Sequence, residues 1–222
     1  MNRFTLLLTD ELKGFWKSNV MTILWIGLPA LSIIMHYIQP DTEGIPIAFL
    51  VGLLIASVGG TLASVMLSTS IVSERNRKVY DLFVIRDQNI RTSLILAKFL
   101  AVYICLVIAA GLSVGFGLLV DHYTNDIPIE TIWEKNTESL GISMAAMAIA
   151  CSIGILIGLM IDSVPSAAIL SIYVGNQLSL LAVLPGILME EVDPLDFAST
   201  MGIIMTVVVM AVNLFIFNRK QL

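Results

Sequence analysis

Few residues in this chain are of a kind and spacing that could carry out bond chemistry. Glu190 and Glu191 are adjacent carboxylates. To serve a membrane-embedded protease they would need an arginine shortly after them and a histidine in a later segment, and neither follows. His36 and His122 have no partner at metal-ligand spacing, and Cys105 and Cys151 each sit inside an apolar run, where a thiol behaves as a small hydrophobe. No GxxxxGK[ST] phosphate loop, HExxH or GxSxG occurs, so the expectation is a chain that is not itself an enzyme and binds no cofactor or metal. Chemistry that leaves no covalent trace remains, namely ion pairing and hydrogen bonding. Its material is concentrated at positions 71–100, which hold Arg75, Arg77, Lys78, Arg86, Arg91 and Lys98, half of the 12 basic residues.

The elements that must position those charges are set by composition. Of 222 residues 57% are hydrophobic and only 13% charged, with a mean hydropathy of +0.92, which water-soluble domains do not reach. The apolar residues form runs of about 20, the length at which a helix crosses the hydrocarbon of a bilayer, and no alternating pattern of a barrel appears. The expected fold is an all-α integral membrane protein with six transmembrane helices, at 20–38, 45–72, 93–120, 140–161, 164–184 and 197–217. Positions 1–222 read as one domain, and a net charge of −5 without a basic stripe elsewhere argues against nucleic acid as a partner.

Orientation follows from Lys and Arg, which gather on the cytoplasmic side of short loops. With six spans, eleven of the 12 bases fall on one side and Lys135 alone on the other. Both termini are therefore expected in the cytosol. The other side collects acids, including Asp41, Asp121, Glu138, Glu190, Asp193 and Asp196. Before the first span, Phe4, Leu8, Leu12, Phe15 and Trp16 recur at helical spacing, so 1–19 reads as an interfacial helix, a helix packed on the bundle being the alternative. Residues 121–139, with acids, Pro128 and Trp133, read as a solvated loop. Residues 185–196 read either as a segment that dips back into the membrane or as a surface loop.

Within the spans, ionisable residues are nearly absent, which disfavours an ion-coupled carrier with buried carboxylate relays. Lys98 lies close enough to the inner face to snorkel. Small residues recur at four-residue steps, for example Gly52, Ala56, Gly60, Ser64 and Ser68, as close helix packing requires. The most polar point at mid-span is Asn176-Gln177, able either to line a pathway or to bond to neighbouring helices.

Beyond Ser73, Val79, Leu82 and Phe83 share one helical face while Glu74, Arg75, Arg77 and Lys78 spread over others. The second span therefore continues past the membrane as an amphipathic helix. Asp87-Gln88-Asn89 then supplies turn formers, and Asn89 or Asp87 can cap a following helix that carries Arg91 and Lys98. Over 71–100 this arrangement resembles the permeases of type 2 ATP-binding-cassette exporters. Their cytosolic link opens E-R-E-R-G, continues to an acid and a leucine, turns at a proline and enters the third span at Gly-Lys. Glu74, Arg75 and Arg77 match, Asp81 and Leu82 supply the acid and the leucine, and Lys98 matches the lysine. Lys78 stands for the glycine, Asp87 falls near the proline, and Ala97 replaces the second glycine.

The resemblance implies that 73–92 is a coupling segment in which Glu74, Arg75, Arg77, Val79, Asp81, Leu82, Phe83 and Arg86 dock on a separate ATPase subunit. It implies two copies of that subunit, which would hold ATP and Mg, and a second permease chain, identical or homologous. A pathway between the two permeases would be lined by Ser57, Thr61, Ser64, Ser68 and Asn176. The short outer loops favour an amphipathic or hydrophobic cargo, a peptide, lipid or drug, exported across a prokaryotic plasma membrane whose lipid is the remaining partner. The rival expectation is a non-transporting anchor or assembly subunit.

Overall fold

The computed structural model describes residues 3–38, 47–79, 89–125, 129–175, 177–181, 185 and 193–219. Almost all of these residues are helical and none of them lies in a strand. In chain order the helices are α1 (Arg3–Trp16), α2 (Asn19–Ile38), α3 (Ile47–Asn76), α4 (Asn89–Asn125), α5 (Ile129–Met160), α6 (Val164–Leu170) and α7 (Pro194–Arg219). The chain after α6 passes into a single π-helical turn, Ser171–Gly175. Six helical stretches are long and apolar enough to span a membrane, as the run lengths require.

The α1 helix turns Leu8, Leu12 and Phe15 onto the bundle and leaves Leu6 and Trp16 exposed. It ends at a tight link in which the Ser18 hydroxyl accepts a bond from the Val20 amide and the Ser18 carbonyl one from Met21, so a serine caps the first span. At 30 and 37 residues, α3 and α4 exceed what a straight crossing needs.

The solvated loop expected at 121–139 is a misreading. Helix α4 runs on through Asn125 and α5 begins at Ile129. Acids made this stretch look like a loop, yet positions 130, 134 and 138 all lie within α5, whose first residue is Ile129. Ile129, Ile132 and Trp133 supply the helical spacing beside them.

At the centre is α5, 78% of whose span is buried, against 24% and 22% for the fifth and sixth spans. It lies parallel to α3, both running from the acidic to the basic end of the bundle. Small residues meet along the seam in constant register, Gly60 at Ala150, Ser64 at Gly154 and Ser68 at Gly158. At Gly154 a Cβ would stand 2.7 Å from the Ser64 backbone, so only glycine admits this approach. Such contact substitutes for the hydrophobic drive that lipid does not provide. On the far side α7 packs along α5, and the buried Asn213 donates from Nδ2 to the Ser152 carbonyl at 2.8 Å.

Candidate functional site

The charged end of α3 is held from two directions. Glu74 and Lys98 meet at 2.6 Å, and the same Nζ reaches Glu11 of α1 at 2.7 Å. Ser70, one turn earlier, donates its hydroxyl to the Glu74 carboxylate at 3.0 Å. Lys98 is 2% exposed, so its ammonium is enclosed rather than reaching water. One ammonium faces two carboxylates, leaving the cluster one negative charge in excess. Burial pushes the Glu11 carboxyl above its ordinary value; Lys98 opposes this, while Glu74 and Asp10 reinforce it.

Arg75 points the other way, onto the end of α5. Its guanidinium donates to the carbonyl oxygens of Leu159, at 3.1 Å, and of Ile161, and pairs with Asp162 at 2.6 Å. Asn76 adds a bond from Nδ2 to the Asp162 carbonyl at 3.2 Å. The last carbonyls of a helix have no partner within it and carry its negative pole, so a forked cation is well suited to this position.

The α3 helix then stops. Lys78 has φ 56°, in the left-handed region, and its amide donates to the Arg75 carbonyl at 2.9 Å. A left-handed residue is the ordinary device for closing a helix, and glycine is its usual occupant. Arg77 and Lys78 are exposed and Val79 is half-buried. Asp81, Leu82, Phe83 and Arg86 lie outside the described residues.

Of the residues expected to line a pathway, Ser57 and Thr61 are half-buried, with the Thr61 hydroxyl donating to the Ser57 carbonyl at 2.6 Å. Ser64 and Ser68 are completely buried. Ser68 accepts at 2.8 Å from the hydroxyl of Ser171, the first residue of the π turn, and Gly175 at the end of that turn packs on Ser64. The two serines therefore lie in a three-helix contact inside one chain. Asn176 lies outside the described residues. Elsewhere on the fifth span, Tyr173 is 68% exposed and Gln177 is also exposed. Ser64 is ten residues from Glu74, so Gly175 lies about 15 Å above the charged end, near the middle of a bilayer.

Sequence reasoning brought Glu74, Arg75 and Lys98 together as one charged region and missed Glu11 and Asp162 as their partners. Glu11 carried a signal, an acid among the polar positions of an amphipathic helix; Asp162 was visible only as a charge in a tight connection. Among the described residues no group of three or more His, Cys, Asp or Glu could hold a metal ion, and Cys105 and Cys151 are buried and free. No family model and no curated protein matches the chain.

Proposed function

We propose that this chain is the membrane subunit of an ATP-driven exporter of the type 2 ATP-binding-cassette class. In this reading it sits in a prokaryotic plasma membrane with α1 in the interface and both termini in the cytosol, and it works with a second permease chain and two ATPase subunits. Residues 73–92 form the coupling segment, and the cargo is amphipathic or hydrophobic.

The observation that carries the reading is the double fastening of the α3 end. Through Lys98 and Glu11 it is tied to α4 and α1, and through Arg75 to the end of α5. A push on the segment that follows reaches four helices at once, as a point where force enters a membrane domain must. With Glu74 and Arg75 engaged inside the chain, docking on the ATPase falls to Arg77, Val79 and the residues after them, Asp81, Leu82, Phe83 and Arg86. The left-handed Lys78 adds support, because it occupies the position where the exporters carry glycine. Tyr173 and Gln177 support the second chain, since hydrogen-bonding side chains exposed at mid-bilayer need a partner or water.

The test is co-expression with a phosphate-loop ATPase encoded beside this gene, followed by purification and ATP hydrolysis in vesicles. Copurification and hydrolysis that depends on this chain are expected. Phe83→Asp should abolish association while leaving membrane insertion intact. Normal association in that variant would remove the docking face, and an ATPase that never binds or responds would overturn the exporter reading.

A further inference from the structure

Where α4, α5 and α7 adjoin, a groove of about 410 Å³ opens toward the membrane. This is within the range of small-molecule sites. Phe99 and Tyr103, stacked at 5.8 Å and nearly parallel, form one wall. Met144 and Ala148 of α5 and Ile203 and Val207 of α7 form the others. The walls present hydrocarbon: the Tyr103 hydroxyl is directed to the Met144 carbonyl at 3.5 Å and that of Ser199 to the Asp196 carbonyl at 3.1 Å. The Thr206 hydroxyl has no partner among the described residues.

The rim is of opposite character. At the acidic end of the bundle Gly141 packs on Leu195, which sets the first turn of α7 level with the fourth turn of α5. Glu138 lies one turn before Gly141, and Asp196 one turn before Ser199 on the same stripe as Ile203. Among the described residues neither carboxylate has a cation within ion-pairing distance, and Lys135 is the only base that the sequence assigns to this side. From Ser199 to Val207 the trough runs about 12 Å along α7, and Asp196 stands one turn beyond its outer end.

We propose that this groove binds a single-tailed cationic amphiphile, its apolar tail along Met144, Ala148, Ile203 and Val207 and its cationic head between Glu138 and Asp196. A bilayer phospholipid fits poorly, because its phosphate would face two carboxylates. The site goes beyond ATP-driven export and stands whether or not an ATPase is present, since all its parts lie in one chain.

The experiment uses the purified full chain in nanodiscs of phosphatidylcholine, with a dodecyltrimethylammonium probe carrying a photoreactive diazirine at the tail end. Labelling is expected on peptides containing Tyr103, Ala148 or Val207, displaced by unlabelled dodecyltrimethylammonium but not by dodecyl sulfate or dodecyl maltoside. Combined Glu138→Gln and Asp196→Asn should reduce labelling roughly fivefold to tenfold. A neutral dodecanol probe should be unaffected by the same pair. Ala148→Phe should block the groove, and Ile203→Trp should do so without touching the core, because Ile203 is 66% exposed. Equal displacement by dodecyl sulfate, labelling spread over Ile204 and Val208, or indifference to loss of the two carboxylates would each overturn the site.

Discussion

Arg75 and Asp162 pair at 2.6 Å, but the arginine side chain is 10% exposed and the aspartate side chain 92%. The pair is therefore unequal, and most of its worth lies in the two main-chain carbonyls at the end of α5, those of Leu159 and Ile161, that the guanidinium also serves. Asp162→Asn should cost less than about 0.5 kcal/mol, as exposed ion pairs do. Arg75→Lys, which keeps the charge and loses the fork, should cost about 1–2 kcal/mol by leaving a carbonyl unserved. Thermal unfolding of the two variants in one detergent would check the order, and a larger loss for Asp162→Asn would refute it.

The cluster around Lys98 makes the opposite contrast. Lys98→Met leaves the part-buried Glu11 and Glu74 carboxylates facing each other without this ammonium and should cost about 1.5–3 kcal/mol. Glu11→Gln should be nearly neutral, because Lys98 keeps Glu74.

Glu11 also gives a sign for pH. Its carboxyl is raised by burial, so the folded state holds the proton more tightly than the unfolded state. Stability from this group is greatest below the ordinary carboxylate value and declines as pH rises from there through the raised value. Protection factors for amide exchange along α1, corrected for the intrinsic pH dependence of exchange, should fall over that window in the parent and not in Glu11→Gln. An unchanged pH profile in that variant would contradict the assignment.

At φ 56° Lys78 meets a steric penalty that glycine escapes. Lys78→Gly should stabilise the fold by about 1 kcal/mol, whereas Lys78→Ala, with the same Cβ, should gain nothing. Denaturation midpoints of the three proteins would separate a backbone effect from a charge effect.

If Gln177 meets a second copy of the chain, Gln177→Cys should form an intermolecular disulfide in native membranes under mild oxidant, and Ile203→Cys on α7 should not. The native Cys105 and Cys151 are buried and would not interfere. Absence of the dimer band, with Gln177→Cys still labelled by a membrane-permeant thiol reagent, would place another partner at Tyr173 and Gln177.

The spans were legible because crossing a bilayer demands an apolar length that is written locally in the chain. The start of α5 was not, because Glu130 and Glu134 look alike in a loop and in the first two turns of a helix. Lys98 could be placed near the basic end, but its meeting with Glu11 depends on how α1 crosses α4, which no local pattern records. Arg75 stood out as a charge, yet two of its three acceptors are main-chain carbonyls that no side chain advertises. Ser64 and Ser68 were read as lining an opening, and polarity alone does not distinguish that from a hydroxyl packed between helices. Lys78 was noticed only as a departure from the glycine of similar permeases, and that departure coincides with the left-handed backbone.

The seam between α3 and α5 joins residues ninety positions apart, Ser64 to Gly154 and Ser68 to Gly158. A ribosome delivers α3 into the bilayer long before its partner has been made, and α4 must cross in the opposite sense in between. Until α5 arrives, the Ser64 and Ser68 hydroxyls have only lipid, their own helix or the insertion machinery beside them. This close contact must thus wait for the fourth of the six spans, and a chain interrupted before Gly154 would present the unfinished surface to the membrane's quality control.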